Sequence, residues 1–253
     1  MTVTALHAER PRLATGNAAL LAISHGTTSP TGRKAVAALV NAVAGRLHGT
    51  AVRGGFVDVQ QPDVAATIES VMDQRAAIVV PLLLSAGYHV HVDLVGELAA
   101  VPGLPTMLAA ALGPDDRLVD ILVARLLEAG LRDRDVVVMA AAGSSDAQAV
   151  RDCHEMAERL SRALGRRVRL GFISAAHPRL PAVVEAAISE VGAERVLVAS
   201  YLLAPGYFTD LAHACAPGRV TRPLLTDDTP PPAALVDLVL DRYHRATLSL
   251  PFT

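Results

Sequence analysis

Short, almost unbroken aliphatic runs alternate along this chain with longer stretches in which apolar positions recur at helical spacing. Leu20-Leu21-Ala22-Ile23, Val79-Val80-Pro81-Leu82-Leu83-Leu84, Val136-Val137-Val138-Met139 and Val196-Leu197-Val198 are the clearest of the runs. A strand that is apolar on both faces is one covered by helices on both faces. The alternation therefore predicts βαβ units and parallel sheets. In the first half the pattern predicts strands near 19–24, 51–58, 77–84 and 105–110, with helices near 31–47, 62–74, 93–100 and 116–129. In the second half it predicts strands near 135–141, 167–174, 195–203 and 220–225, with helices near 146–164, 179–191, 209–215 and 231–246.

The two halves are copies of one another. Leu20-Leu21-Ala22-Ile23-Ser24-His25-Gly26-Thr27 returns as Val137-Val138-Met139-Ala140-Ala141-Ala142-Gly143-Ser144, and Val80-Pro81-Leu82-Leu83-Leu84-Ser85-Ala86-Gly87-Tyr88-His89 returns as Ala199-Ser200-Tyr201-Leu202-Leu203-Ala204-Pro205-Gly206-Tyr207-Phe208. Leu118-Val119-Asp120-Ile121-Leu122 is matched by Leu235-Val236-Asp237-Leu238-Val239. A repeat of this length predicts two tandem α/β domains, 18–130 and 134–246, each a four-stranded parallel sheet flanked by helices, with a cleft between them. Where the copies differ is informative: His25 stands opposite Ala142, and His89 opposite Phe208. A framework kept in both copies is fold; imidazoles kept in one are candidates for chemistry.

Composition narrows the classes. The net charge is −2, so bulk electrostatics gives no reason to expect a nucleic-acid binder. Cys153 and Cys215 are too few for a disulfide framework and show no CxxC spacing. Residues 1–17 lack a continuous apolar stretch, and no run is long enough for a spanning helix, so a soluble cytoplasmic protein with no membrane partner is expected.

In open parallel sheets ligands bind beyond the carboxyl ends of the strands. Three polar residues of the first half fall there: His25 after the first strand, Asp58 closing the second, and His89 after the third, with His91 two residues on. The second copy has Ala142, Ser174 and Phe208 at these places. Two imidazoles and a carboxylate suit a divalent first-row metal such as iron, cobalt, nickel or zinc. Other signals are poorer. Gly26-Thr27-Thr28-Ser29 leads into a helix and offers N–H groups to an anion, yet it lacks either nucleotide-binding glycine pattern. Cys153-His154 lies within a helix and reads as structural, and His177-Pro178, matching Gln61-Pro62, reads as a helix start.

Ser24-His25-Gly26-Thr27, Phe56-Val57-Asp58 and Pro81-Leu82-Leu83-Leu84-Ser85-Ala86-Gly87-Tyr88-His89-Val90-His91 resemble the sirohydrochlorin chelatases of the CbiX and SirB type, the class II tetrapyrrole chelatases. The likeness covers nearly the whole chain, and the doubled length matches the family's long form. It implies ATP-independent insertion of Fe²⁺ or Co²⁺ into sirohydrochlorin, towards sirohaem or cobalamin, with no organic cofactor and the metal as substrate. It places the catalytic histidines on His25 and His89 and the acidic residue, usually glutamate, on Asp58, one methylene shorter. His25, His89 and His91 would hold the metal, and Thr27, Ser85, Tyr88 and Phe208 would meet the macrocycle. Arg33, Lys34 and Arg53 are candidates for pairing with its carboxylate arms. One chain supplies two lobes, so a monomer or a homodimer is expected. A non-catalytic metal or tetrapyrrole carrier using the same cleft is the alternative. A two-lobed anion-binding protein and a zinc hydrolase are further readings, the first of which predicts matching polar residues on both lobes.

Overall fold

The structure, a computed structural model, describes residues 18–85, 87, 94–99, 101–216 and 219–250. In the first half β1 (Ala19–Ser24), β2 (Val52–Phe56), β3 (Ala77–Pro81) and β4 (Thr106–Leu108) form one parallel sheet in the order β2-β1-β3-β4. Every residue of β1 and β3 is buried, as the unbroken apolar runs require. The helices are α1 (Pro30–Arg46), α2 (Val64–Glu69) and α3 (Asp116–Glu128), with a further helical stretch at 94–99. Their starts are chemically marked: Ser29 caps α1, with Pro30 in its first turn, Asp63 caps α2 and Asp115 caps α3.

In the second half β5 (Val136–Ala141), β6 (Val168–Phe172) and β7 (Val196–Tyr201) form a parallel sheet in the order β6-β5-β7. The helices are α4 (Ala147–Leu164), α5 (Leu180–Val191), α6 (Tyr207–Cys215) and α7 (Ala233–Leu248). Among the described residues this sheet has three strands, not the four that the pattern predicts. The segment expected at 220–225 joins through one bridge, Val198 to Val220. The ladder stops because the Ser200 N–H donates to the Thr221 hydroxyl oxygen at 2.9 Å, and because Pro223 has no N–H to give. The chain still follows the sheet edge, with the Leu224 and Leu225 amides donating to the Leu202 and Leu203 carbonyls at 3.0 and 2.8 Å.

The halves that follow one another in sequence are not the halves that pack in space. Helix α7, at the end of the chain, lies on the first sheet against β3, β4 and α1. The Tyr243 hydroxyl there donates to the Ala18 carbonyl at 2.6 Å, and the Arg242 guanidinium donates to the carbonyls of Ala111 and Leu112. Helix α3 lies on the second sheet against β7 and α4. Its buried Arg125 donates to the carbonyls of Pro223 and Leu224, each at 3.2 Å. The final helix of each repeat has thus crossed to the other repeat's sheet. One apolar core consequently runs through both halves, from Leu20, Leu39 and Ile78 to Met139, Met156 and Tyr201. Two smaller cores fill the outer faces, under α2 and 94–98 on one sheet and under α5 and α6 on the other. No helix among the described residues is long and apolar enough to cross a membrane.

Candidate functional site

The site begins where β1 runs out. His25 is the first residue past its last buried position, and the next residue, Gly26, has a φ of +89°. A Cβ at Gly26 would lie 2.1 Å from the Asp58 carbonyl oxygen, so only glycine allows the loops after β1 and β2 to touch. The contact is fastened by the Asp58 amide, which donates to the His25 carbonyl at 3.1 Å, and the Val57 amide, which donates to that of Ser24 at 2.9 Å. Beyond Asp58 the chain turns sharply. Val59 takes a φ of +66°, costly for a β-branched residue. Its amide donates to the Asp58 carboxylate at 2.6 Å, and the Gln60 amide to the Asp58 carbonyl at 2.7 Å. His25 and Asp58, distant in sequence, therefore project from one pair of interlocked loops.

The second copy repeats this frame without the chemistry. Gly143 has a φ of +91°, a Cβ there would lie 1.9 Å from the Ser174 carbonyl oxygen, and Ala175 has a φ of 55°. The Ser174 amide donates to the Ala142 carbonyl at 2.9 Å. Ala142 and Ser174 thus occupy the places of His25 and Asp58 in space as well as in sequence.

Both side chains are exposed at the edge of the loops. Crowding by the loop backbone still desolvates the His25 imidazole and lowers its pKa from the usual 6.5, while the charge of Asp58 pulls it upward. The ring is held neutral, the state in which it is a ligand or a proton acceptor.

The second lobe closes on this edge. A Cβ at Gly32, in the first turn of α1, would lie 2.3 Å from the Pro205 carbonyl oxygen, and one at Gly206 would lie 3.3 Å from the Thr27 hydroxyl oxygen. Thr27 therefore sits against the loop that opens α6. From there Tyr207 and Phe208 reach solvent, 72 % and 39 % exposed, with ring centroids 5.9 Å apart. Tyr201, buried at the end of β7, crosses between lobes to donate its hydroxyl to the Leu84 carbonyl at 2.8 Å.

Ser85, past the end of β3, faces a cavity of about 860 Å³ between the β3 and β4 ends and the helices α3, α4 and α7. His25 and Asp58 are not in its wall. The arginines of that wall are engaged: Arg117 with Asp115 and Asp241, Arg242 with Asp115, and Arg159 with Asp116. Burial pushes the Asp115 carboxyl up, but hydrogen bonds and charge from Arg117 and Arg242 outweigh it and hold the group below its ordinary value. These pairs stitch α3 to α7 and α4.

Tyr88, His89 and His91 lie outside the described residues, so of the histidines and the carboxylate read from the sequence the structure brings together His25 and Asp58. Among the described residues no three His, Cys, Asp or Glu side chains converge as a metal cage. Arg33 and Arg53 donate to their local carbonyls, those of Thr28 and Val52, and Lys34 is exposed. His154 packs edge-on against Phe172, its ring centroid 6.1 Å away. Beside it Cys153 is buried, its thiol pushed up to about 12 by burial and then by the charge of Asp152. Both cysteines are free thiols. Sequence reasoning passed over Gln60, whose side-chain oxygen accepts the Thr27 N–H at 2.7 Å, although the replacement of Gln60 by Ala176 in the second copy was visible.

The structure is a duplicated α/β frame in which one sheet edge carries an imidazole and a carboxylate, and comparison with known proteins gives its family. The CbiX family model matches residues 19–129 and 136–215, and the chain belongs to that family. A sirohydrochlorin ferrochelatase of Priestia megaterium is 27% identical over 197 residues, which is 74% of either chain. A sirohydrochlorin cobaltochelatase of Sulfurisphaera tokodaii is 33% identical over 79 residues, 30% of this chain and 66% of the relative. SirB from Bacillus subtilis, solved with Fe³⁺, superposes with a TM-score of 0.73 at 21% identity, covering 91% of this chain and 96% of its own. It shares the fold.

Proposed function

We propose that the protein is a sirohydrochlorin chelatase, inserting Fe²⁺ or Co²⁺ into sirohydrochlorin in the cytoplasm without ATP. The observation that carries this reading is the asymmetry of the repeat. One loop frame occurs twice, and only the first copy holds an imidazole and a carboxylate, His25 and Asp58. The ferrochelatase name of the relative matched over 74% of the chain supports the same conclusion.

Insertion exchanges two pyrrole N–H protons for one divalent cation, while the incoming ion sheds water. A neutral imidazole serves both needs, as a ligand to the ion or as a proton acceptor near neutral pH. In this reading His25 and His89 hold the incoming ion and, as it passes to the ring nitrogens, the imidazole nitrogens so freed take up the two displaced pyrrole protons, with His91 as a further ligand. Asp58 balances the charge of the ion and of any imidazolium formed. The macrocycle lies in the cleft, against Thr27, Ser85 and Tyr88 of the first lobe and Phe208 of the second. One chain supplies both walls, so a monomer is sufficient.

The test is direct. Purified protein mixed with sirohydrochlorin and limiting Fe²⁺ or Co²⁺ should speed the absorbance change of metallation above the protein-free rate, and His25→Ala should abolish the gain. A rate equal to the control would remove the enzyme reading and leave that of a carrier.

A further inference from the structure

We infer that Gln60 is a positioning residue for this reaction: its side-chain amide clamps the loop that carries His25. The inference rests on the chelatase reading and adds a residue that neither the motif nor the metal chemistry singles out.

In the second copy the same turn is built on Ser174, Ala175 and Ala176, with the Ala176 amide donating to the Ser174 carbonyl at 2.6 Å, as Gln60 does to Asp58 at 2.7 Å. Both copies keep the left-handed residue and the glycine contact. A methyl side chain is therefore enough for the fold here. What glutamine adds is an acceptor for the Thr27 N–H at 2.7 Å, two residues beyond His25 and against Gly206 of the other lobe. The donor is a backbone N–H, which fixes the side chain's orientation: only Oε1 can face it. Gln60 is half-buried, so solvent does not freely replace the bond. The His25 imidazole, the Asp58 carboxylate and the Gln60 clamp stand in the first copy where the second has Ala142, Ser174 and Ala176.

Partners that orient metal-binding side chains cost about 10–100-fold in activity or affinity when removed. Gln60→Ala should lower kcat for metal insertion by about tenfold, with a smaller rise in KM for sirohydrochlorin, because Thr27 meets the macrocycle, and a thermal midpoint lowered only slightly, by the loss of one half-buried hydrogen bond. Gln60→Glu, which keeps an acceptor of the same reach, should recover most of the loss. Independently of activity, exchange of the Thr27 amide proton should be slow in the wild type and in Gln60→Glu and fast in Gln60→Ala. Wild-type kcat in Gln60→Ala, or a folded Gln60→Glu as slow as Gln60→Ala, would overturn the inference. Should the wild type insert no metal at all, the chelatase reading falls by itself, and an unchanged Thr27 exchange rate in Gln60→Ala would show that the clamp is absent too.

Discussion

A histidine set just past a buried strand is pulled two ways: the surrounding backbone strips water from it and disfavours its charge, and a nearby carboxylate favours that charge. At His25 desolvation is the larger effect and Asp58 the smaller, so the imidazole stays neutral below its ordinary 6.5. Acidification through that range protonates the unfolded chain first, so His25 withdraws stability as the pH falls. Asp58→Asn removes the upward pull, and titration of the His25 ring protons by NMR should show a pKa lower than in the wild type. A higher value would mean that Asp58 does not act on His25. The two members of this pair were legible as His25 against Ala142 and Asp58 against Ser174. Gln60 was not, because an amide carries no metal chemistry and its role lies in a bond to a backbone N–H that spacing does not reveal.

At the scale of elements, the strands were readable because burial on both faces leaves few polar positions in them, and the helices because their apolar positions recur at helical spacing; the caps Ser29, Asp63, Asp115 and Asp146 came with the structure. The missing fourth strand of the second sheet turns on two residues, Thr221 and Pro223, which divert one ladder bond and delete another. The helix exchange was invisible for a different reason. Apolar periodicity says that a helix face is buried, not which sheet buries it. Leu235, Leu238, Val239 and Tyr243 of α7 are buried on the first sheet, and each such side chain contributes about 1.5–3 kcal/mol. Residues 18–130 expressed alone lack that cover. They should sediment as aggregates or as a dimer in which α3 of each copy covers the other's sheet. A monomer that unfolds cooperatively would contradict the exchange.

For the molecule as a whole, the exchange ties the lobes into one core and fixes the strand ends of one against those of the other. Tyr201 at the end of β7 reaching Leu84, Pro205 against Gly32 in the first turn of α1, and Gly206 against Thr27 all lie at the carboxyl ends of the strands. The chemistry of the first lobe is thereby set beside the aromatic start of α6 in the second, where the repeat has exchanged a histidine for Phe208. In the chelatase reading proposed above, a lobe bearing His25 and Asp58 faces a lobe without them, so a flat macrocycle would meet metal-handling groups on one face and an apolar wall on the other. Anomalous diffraction from crystals grown with Co²⁺ tests this most directly. Cobalt should lie at the edge of the first sheet, bound by His25 and His89, with none at Ala142 or Ser174. Cobalt shared equally between the two edges, or absent from His25, would contradict it.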